Sequence, residues 1–446
     1  MKLALTCAFA LLGFGGASCG SGSGGGSIPK YSTMGMLGNP SSTVVGTNLV
    51  FIDAALNGMD ELFPDLNFDV LIDTGSPTVL IDPSFFYQTP PTVTGANILT
   101  TINLSLLDNN GTPVVTLDNI PALQLSSAMM DEIGLGGILG GNVMRQFSVQ
   151  LDYAEPMMHG FCLGCTSGPR DDVESPGAAI PFALEGGSGG HPSEVALTST
   201  LMPNAGVIPP TRIPVTVTID GVDHPFIVDT GASEVSVRST LFNTLTQDGR
   251  AQLMNFGIET VEGGSTASVT RAKTITVGGE TVDDAPVMSI MSDPTDDLLN
   301  QIGLEIDPSG KNLIDGLLGG SFLRNFLVTI DYPNGQLHLQ RYNTETWVDE
   351  FQRIGIDIAP LPDSDKHWYA IDVVYPGTDA ATQGLVAGDE IISVDGTSLD
   401  GLGWLAADKL LDGTVGTSKT IVYSVTDTSA PQTVSVLVDD LIPNPQ

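Results

Sequence analysis

The chain has 446 residues, of which 41% are hydrophobic and only 15% charged, and this is enough apolar material for two or three packed domains. Its formal net charge is −36, with sixteen Lys and Arg in total. The sequence therefore argues against a nucleic-acid partner, because phosphate binding needs basic patches, and the acidic surface instead favours solubility.

The N-terminal region has the pattern of an export signal. Lys2 precedes an apolar run from Leu3 to Phe14 that is too short for a permanent membrane helix, and small residues then lead to Cys19. We predict a signal peptide over residues 1–18 and a flexible, Gly- and Ser-rich tether over residues 19–45.

The residues before Cys19 resemble a bacterial lipoprotein processing site. The resemblance implies a lipid anchor at Cys19 and a place in the bacterial cell envelope, at the outer membrane or in the periplasm. Ordinary cleavage after Ser18, which would give a secreted protein, is the alternative.

The body of the chain contains a duplication. VLIDTGSPTVLI at Val70–Ile81 has a near twin, FIVDTGASEVSV, at Phe226–Val237. Downstream of each lies a second similar segment, Gly136–Glu155 and Asp315–Asn334, with nine identities in twenty positions at an offset of 179 residues. The two Asp-Thr-Gly motifs are 156 residues apart, so the second copy carries 23 more residues between its motifs.

Each copy is predicted to consist of β-strands. Arg212–Asp220 alternates Val and Ile with Thr, a turn follows at Gly221, and an apolar strand from Pro225 then ends at Asp229. An ionised Asp in such an apolar run loses hydration worth roughly several kcal/mol unless a partner replaces it. A single buried Asp in a turn is usually a backbone cap, but two with matching downstream segments indicate a function.

The paired motifs resemble the aspartic peptidases, pepsin-like and retropepsin-like enzymes together, over about Gly46 to Tyr342. The resemblance implies two β-barrel lobes related by a pseudo-twofold axis, which we place at residues 46–165 and 166–345. It implies that Asp73 and Asp229 meet at this axis as the catalytic pair. The same resemblance assigns the support of the site to the next two residues of each motif, Thr74, Gly75, Thr230 and Gly231.

Two adjacent carboxyls cannot both ionise cheaply, so the pair shares one proton and offers both a general base and a general acid. The base activates a water molecule and the acid protonates the carbonyl oxygen of a peptide bond. This chemistry requires neither a cofactor nor a metal. Because one chain carries both acids, we expect a monomer to be catalytically competent, unlike retropepsins, which dimerise.

Two further features of the lobes are interpreted with alternatives. Cys162 and Cys165 of CLGC are predicted to form a local disulfide; a metal site with His159 is the alternative, but a fourth ligand is lacking and we assign no metal. Gly257–Thr274 resembles a retropepsin flap with its tip near Gly263 and Gly264, or it is a surface hairpin without function.

The last unit, residues 350–446, resembles a PDZ domain of the bacterial protease-associated kind. We predict a helix over Leu402–Leu411 followed by two strands, and the resemblance implies binding of C-terminal or extended peptides by strand addition. Ile354, Gly355 and Ile356 would form the carboxylate-binding loop, the first core strand, or both. A short linker should keep this domain near the lobes, where it would deliver substrates.

The sequence thus predicts a mainly β protein with two acid-protease lobes and a PDZ domain. The expected function is an exported aspartic endopeptidase that acts on polypeptides and contacts the membrane only if Cys19 is lipidated. The alternative is a catalytically silent, peptide-binding envelope lipoprotein in which the lobes are only a scaffold.

Overall fold

The computed structural model describes residues 2–3, 42–45, 49–57, 67–82, 98–107, 112–124, 135–145, 147–154, 161–163, 165, 167–168, 170–184, 211–260, 263–290, 299–300, 302–303, 306, 313–344, 349–361, 369–402, 404–425 and 430–443. The fold is mainly β, as predicted, with its strands arranged in four sheets over this part of the chain. No helix among these residues is both long and apolar enough to cross a membrane.

The first lobe is a seven-stranded sheet that closes on itself. Its order is Ser42–Val45, Leu49–Asn57, Asn67–Ile72, Leu135–Leu139, Val79–Ile81, Pro113–Gln124 and Ile98–Leu107. The last of these strands also pairs with Leu49–Asn57, which closes a barrel. Apolar side chains such as Val70, Ile72 and Leu104 point into its core.

The second lobe is a ten-stranded sheet built around the same arrangement. Its order is Lys2–Leu3, Leu253–Thr260, Gly263–Arg271, Pro286–Ile290, Val235–Val237, Gly316–Leu318, Val222–Val228, Pro214–Ile219, Thr274–Val277 and Glu280–Asp283. The hairpin of Pro214–Ile219 and Val222–Val228 confirms the hairpin predicted before Asp229.

A five-stranded antiparallel sheet joins the two lobes. Its order is Phe161–Leu163, Ser148–Asp152, Phe326–Asp331, Gln336–Arg341 and Ala178–Pro181. Gln150 pairs with Thr329, and these two residues are also 179 apart, the spacing of the duplicated segments. The pair therefore maps onto itself when the copies are exchanged, so the pseudo-twofold axis passes through it.

The C-terminal sheet is a separate antiparallel layer with its own apolar core. Its order is Gln352–Ile354, Gln432–Asp440, Ser418–Ser424, Glu390–Val394, Tyr369–Val374 and Ile356–Pro360, and the short strand Thr397–Ser398 pairs beside Glu390–Val394. Ile356–Pro360 is thus an edge strand of this sheet.

The helices are short and lie at the ends of strands. The α-helices whose bounds are fully described are Gly141–Met144, Ser239–Leu245, Gly320–Leu323, Asp379–Thr382 and Trp404–Lys409, and the 3₁₀ turns are Thr246–Asp248 and Tyr332–Asn334. Residues 299–300, 302–303 and 306 are also helical. Gly141–Met144 and Gly320–Leu323 directly follow the segments ILG (residues 138–140) and LLG (residues 317–319) of the duplicated unit, so the two copies also match in helical structure.

Candidate active site

Each Asp-Thr-Gly motif follows a strand that lies beside its own downstream Gly-rich segment. Asn67–Ile72 runs parallel to Leu135–Leu139, and Val222–Val228 runs parallel to Gly316–Leu318. The N–H groups of Asp73 and Asp229 donate to the carbonyls of Leu139 (3.2 Å) and Leu318 (3.1 Å). Both acids are thereby fixed at the end of a buried strand, with 0% and 1% of their surface exposed.

The threonines of the two motifs exchange hydrogen bonds across the pseudo-twofold axis. The Thr74 hydroxyl donates to the Val228 carbonyl (2.9 Å) and accepts from the Thr230 N–H (3.1 Å). The Thr230 hydroxyl does the same with the Ile72 carbonyl (2.9 Å) and the Thr74 N–H (3.1 Å). Four buried hydrogen bonds therefore tie the two acid-bearing loops together.

The glycine of each motif lies against the carboxyl group of the other. A Cβ added to Gly75 would stand 2.4 Å from the carboxyl carbon of Asp229, and one added to Gly231 would stand 2.5 Å from that of Asp73. Any side chain at these positions would collide with the opposite acid. The structure thus brings the two predicted acids together, with the carboxyl group of each lying against the loop that carries the other.

Backbone donors orient both carboxyl groups. Asp73 Oδ1 accepts from the N–H of Gly75 (2.7 Å) and of Ser76 (3.0 Å). Asp229 Oδ1 accepts from the Gly231 N–H (2.9 Å). These bonds favour the ionised form of a carboxyl and hold one oxygen of each acid in place.

The electrostatics of the pair favour a shared proton. Burial is the main cause that raises the pKa of Asp229 well above its ordinary value of 3.8, and the charge of the Asp73 carboxyl and a hydrogen bond with it raise it further. The Gly231 N–H and the charge of Arg212 act in the opposite direction. The arrangement therefore suits one protonated and one ionised carboxyl.

The downstream glycines close the site from below. Gly140 and Gly319 occupy equivalent places, where an added Cβ would stand 2.1 Å from the carbonyl oxygens of Thr78 and Glu234. The next N–H groups, of Gly141 and Gly320, donate to the acid loops at Ser76 and Ala232 (both 2.8 Å). The Gly-rich parts of the two downstream segments therefore pack beside the acid loops.

Sequence reasoning missed three buried residues around the pair. Arg212 is 2% exposed and its charge acts on Asp229. Burial raises the pKa of Tyr153 and of Tyr332, and the charges of Asp229 and Asp73, respectively, add to this. Both tyrosines are among the nine identities of the duplicated segments, so the repeat held a signal for them.

The predicted flap is a β-hairpin in the structure. Leu253–Thr260 pairs with Gly263–Arg271, and Thr260 lies opposite Gly263 at its end. Gly263 and Gly264 therefore open the second strand, directly after the connecting residues, which are outside the described part of the chain. Whether the hairpin covers a substrate stays a prediction.

The predicted PDZ loop lies in the core of the C-terminal sheet. Ile354 and Ile356 are both buried, the Ile354 N–H donates to the Leu411 carbonyl (3.0 Å), and a Cβ on Gly355 would stand 2.3 Å from Thr378. These three residues thus serve as core, and the carboxylate-binding role stays a prediction. Beside them, Ile356–Pro360 is the last strand in the described order of this sheet, and peptide binding by strand addition stays a prediction.

An ion cluster connects this loop with the helix Trp404–Lys409. Arg353 is fully buried and pairs with Asp408 of that helix (2.5 Å) and with Asp357 of the edge strand (3.6 Å). The charge of Arg353 is thus balanced inside the domain, and the helix and the edge strand are fixed relative to each other.

The remaining predicted sites are only partly described. Cys165 is disulfide-bonded, but the side chains of the other cysteines lie outside the described residues, so the pairing with Cys162 stays a prediction. Cys19 is also outside them. A cavity of about 560 Å³ in the second lobe, lined by His224, Thr240 and Asp315 among others, contains none of the predicted site residues.

Comparisons with known proteins agree with this geometry. Residues 215–325 match the family model described as "gag-polyprotein putative aspartyl protease", a range that includes Asp229 and the flap-like hairpin. Residues 348–422 match the model of the PDZ domain. No curated protein matches the chain.

Among solved structures, the photosystem II D1 C-terminal processing protease is 25% identical over 21% of this chain. This chain spans about a quarter of that protease (24%), and the TM-score of 0.19 is too low to support any conclusion about the fold or the activity. The two family matches and the paired acid motifs lead to one conclusion: the chain contains an aspartyl protease-like domain and a C-terminal PDZ domain.

Proposed function

We propose that this protein is an aspartic endopeptidase in which Asp73 and Asp229 activate a water molecule between them. The observation that carries the proposal is the reciprocal exchange of hydrogen bonds by Thr74 and Thr230, which holds the two acids face to face. A lone capping Asp would not need these four hydrogen bonds of Thr74 and Thr230, which we call the symmetric floor.

The reaction follows from the shared proton. The ionised carboxyl takes a proton from water as the water oxygen attacks the peptide carbonyl carbon, and the protonated carboxyl gives its proton to the carbonyl oxygen. In the second step the roles of the carboxyls reverse. The carboxyl that took the proton from water gives it to the leaving nitrogen, the other carboxyl takes a hydroxyl proton from the tetrahedral intermediate, and the carbon–nitrogen bond breaks. One proton then remains on the pair, so the site is restored without a covalent intermediate.

Peptide recognition is assigned to the PDZ domain. The candidate peptide-binding elements are the strand Ile356–Pro360, which is last in the described sheet, and the helix Trp404–Lys409, which Arg353 ties to that strand. This second site would select polypeptides, since its described residues include no arrangement of acid, base and nucleophile comparable to the aspartate pair.

Replacement of either acid by its amide tests the proposal. Asp73→Asn and Asp229→Asn should each lower peptide hydrolysis by at least about 10²–10⁴-fold, because an amide cannot act as the base, while the fold is retained. The matched control is Asp118→Asn, which changes an exposed carboxyl of the first lobe. The measurement is cleavage of a quenched fluorescent peptide library, with circular dichroism to verify folding.

The same experiment tests the alternative of a catalytically silent, peptide-binding protein. A wild-type chain that binds peptides and cleaves none over a wide pH range would favour the binder. Full activity in either Asn variant would contradict the assignment of the pair.

We also propose export and lipid attachment at Cys19, on the pattern of residues 1–19 alone. Expressed in a bacterium, the wild type should incorporate labelled palmitate and sediment with membranes, whereas Cys19→Ser should do neither. Equal label in both proteins, or an uncleaved N-terminus, would contradict this part of the proposal.

A further inference from the structure

The PDZ domain packs directly on the base of the flap-like hairpin. Eight buried side chains, here called the shared cluster, form one apolar contact between them: Leu253, Phe256, Ala267, Val269, Met288, Phe351, Tyr375 and Ile442. Four of these belong to the two hairpin strands, and three to the C-terminal unit. The rings of Phe256 and Phe351 lie 5.3 Å apart at the centre of the contact.

Two buried arginines of the second lobe reinforce the contact. Arg271, the last residue of the hairpin, donates to the Ile442 carbonyl (2.7 Å) and pairs with Asp349 (2.5 Å). Arg324 pairs with Glu350, and both side chains are 2% exposed. Because buried ion pairs are unfavourable to break, these acids hold the start of the PDZ domain against the lobe.

The contact lies close to the end of the hairpin. Phe256 is opposite Ala267, and Thr260 is opposite Gly263, so four residues separate the contact from the last described pair. At roughly 3.3 Å per residue this is about 13 Å of strand. Beyond the contact the hairpin is joined, among the described residues, only by the two-residue strand Lys2–Leu3, which pairs with Ile258 and Glu259. A ribbon of so few strands is only marginally stable by itself, so the support of its base decides how well its end is positioned.

We propose that the PDZ domain positions this hairpin, the predicted flap, with Phe256, Phe351 and Arg271 as positioning residues. The inference rests on the proposed peptidase function and deepens it. The PDZ domain should then affect the cleavage even of peptides too short to reach it. The sequence-based expectation was that it only delivers substrates. Loss of the contact loosens the hairpin and weakens substrate binding, while the chemistry of the acids is unchanged.

The groove itself is connected to this contact. The Tyr375 hydroxyl donates to Asp357 of the edge strand, and the Tyr375 ring belongs to the shared cluster. The strand Ile356–Pro360 is therefore linked through Tyr375 to the cluster that supports the hairpin.

The experiment compares Phe351→Ala with Phe351→Leu in the full chain. The substrate is a quenched peptide of about six residues, which spans no more than about 20 Å. For Phe351→Ala we expect KM to rise by about 2–10-fold, as the loss of an aromatic contact implies, with kcat and its pH profile unchanged. Phe351→Leu, which refills the space, should restore KM. Val386→Ala, an exposed apolar change in the same domain, is the control.

Hydrogen exchange supplies a second readout that does not depend on activity. In Phe351→Ala the amides of residues 257–267 should exchange faster, whereas those next to Asp73 and Asp229 should not. If Phe351→Ala fails to fold, Arg271→Lys, which keeps the charge but loses the fork of donors, takes its place with the same expectations.

An unchanged KM together with unchanged exchange in a folded variant would overturn the proposal. So would equal defects in the Ala and Leu variants. If the wild type cleaves no peptide at all, the proposed function fails, and the exchange measurement still decides whether the PDZ domain holds the hairpin.

Discussion

Thr74 and Thr230 matter because each hydroxyl both donates and accepts while its residue is buried. Each hydroxyl satisfies one backbone carbonyl and one backbone N–H of the opposite lobe. Serine could make the same bonds, whereas valine has the same shape but no polar group. The loop geometry thus depends on a single oxygen atom in each residue.

We expect Thr74→Val to destabilise the protein by about 2–6 kcal/mol, because it orphans two buried backbone groups at about 1–3 kcal/mol each. Thr74→Ser is the control and should cost much less. Urea denaturation followed by fluorescence measures the free energy of unfolding. A Val variant as stable as the Ser variant would show that the exchanged hydrogen bonds contribute little.

The raised pKa of Asp229 makes folding stability depend on pH. A carboxyl whose folded pKa lies above its unfolded value of 3.8 binds more protons in the folded state, so its contribution is fully present below that value and is lost as the pH rises through the folded pKa. Asp229→Asn removes this loss. The Tm of the variant should exceed that of the wild type near about pH 7, and the difference should shrink toward about pH 4.

Comparing the two proteins at each pH cancels the repulsion among the other acidic residues, which they share. A difference in Tm that grows toward low pH would contradict the raised pKa of Asp229.

At the scale of elements, short sequence patterns predicted those elements whose position depends mainly on neighbouring residues. The hairpin before Asp229, the ILG and LLG segments and the last two PDZ strands all occur where alternation and turn residues place them. The predicted helix at Leu402–Leu411 is shorter, Trp404–Lys409. Its ends are set by contacts with the rest of the domain, which a helical pattern does not contain.

The extra length of the second copy shows the same limit. We predicted no element for it, yet Leu299 and Ile302 before the second downstream segment pack with Ile227 and Leu317, which belong to the two strands beside Asp229. Likewise, nothing near Arg271 in the sequence points to Asp349, which is 78 residues away. The aspartate pair could be predicted because its motif occurs twice in the sequence. The PDZ contact and the burial of Arg212 depend on residues that are distant in sequence, and no repeated motif marks them.

At the scale of the whole molecule, one chain supplies both halves of the symmetric floor. The two acids, the two threonines and the Gln150–Thr329 pair all lie within one polypeptide. We therefore propose that a monomer is the active unit.

Mixing two inactive variants tests this proposal. Asp73→Asn and Asp229→Asn chains, combined in equal amounts, should remain inactive, because each site then contains one amide. If sites formed between two chains, some would pair the two intact acids, and hydrolysis would return in the mixture. Sedimentation of the wild type at the assay concentration gives the matching mass.

The fusion of both halves in one chain also frees each half to change alone. In an assembly of two identical chains every substitution is made twice, and an added domain would crowd both sides of the cleft. Here Arg324 binds Glu350 at the PDZ contact, whereas its counterpart in the repeat, Arg145, is only half-buried. A duplicated chain can thus use one arginine to hold an added domain while the equivalent arginine of the other copy does not, and the symmetric hydrogen bonds of Thr74 and Thr230 are kept.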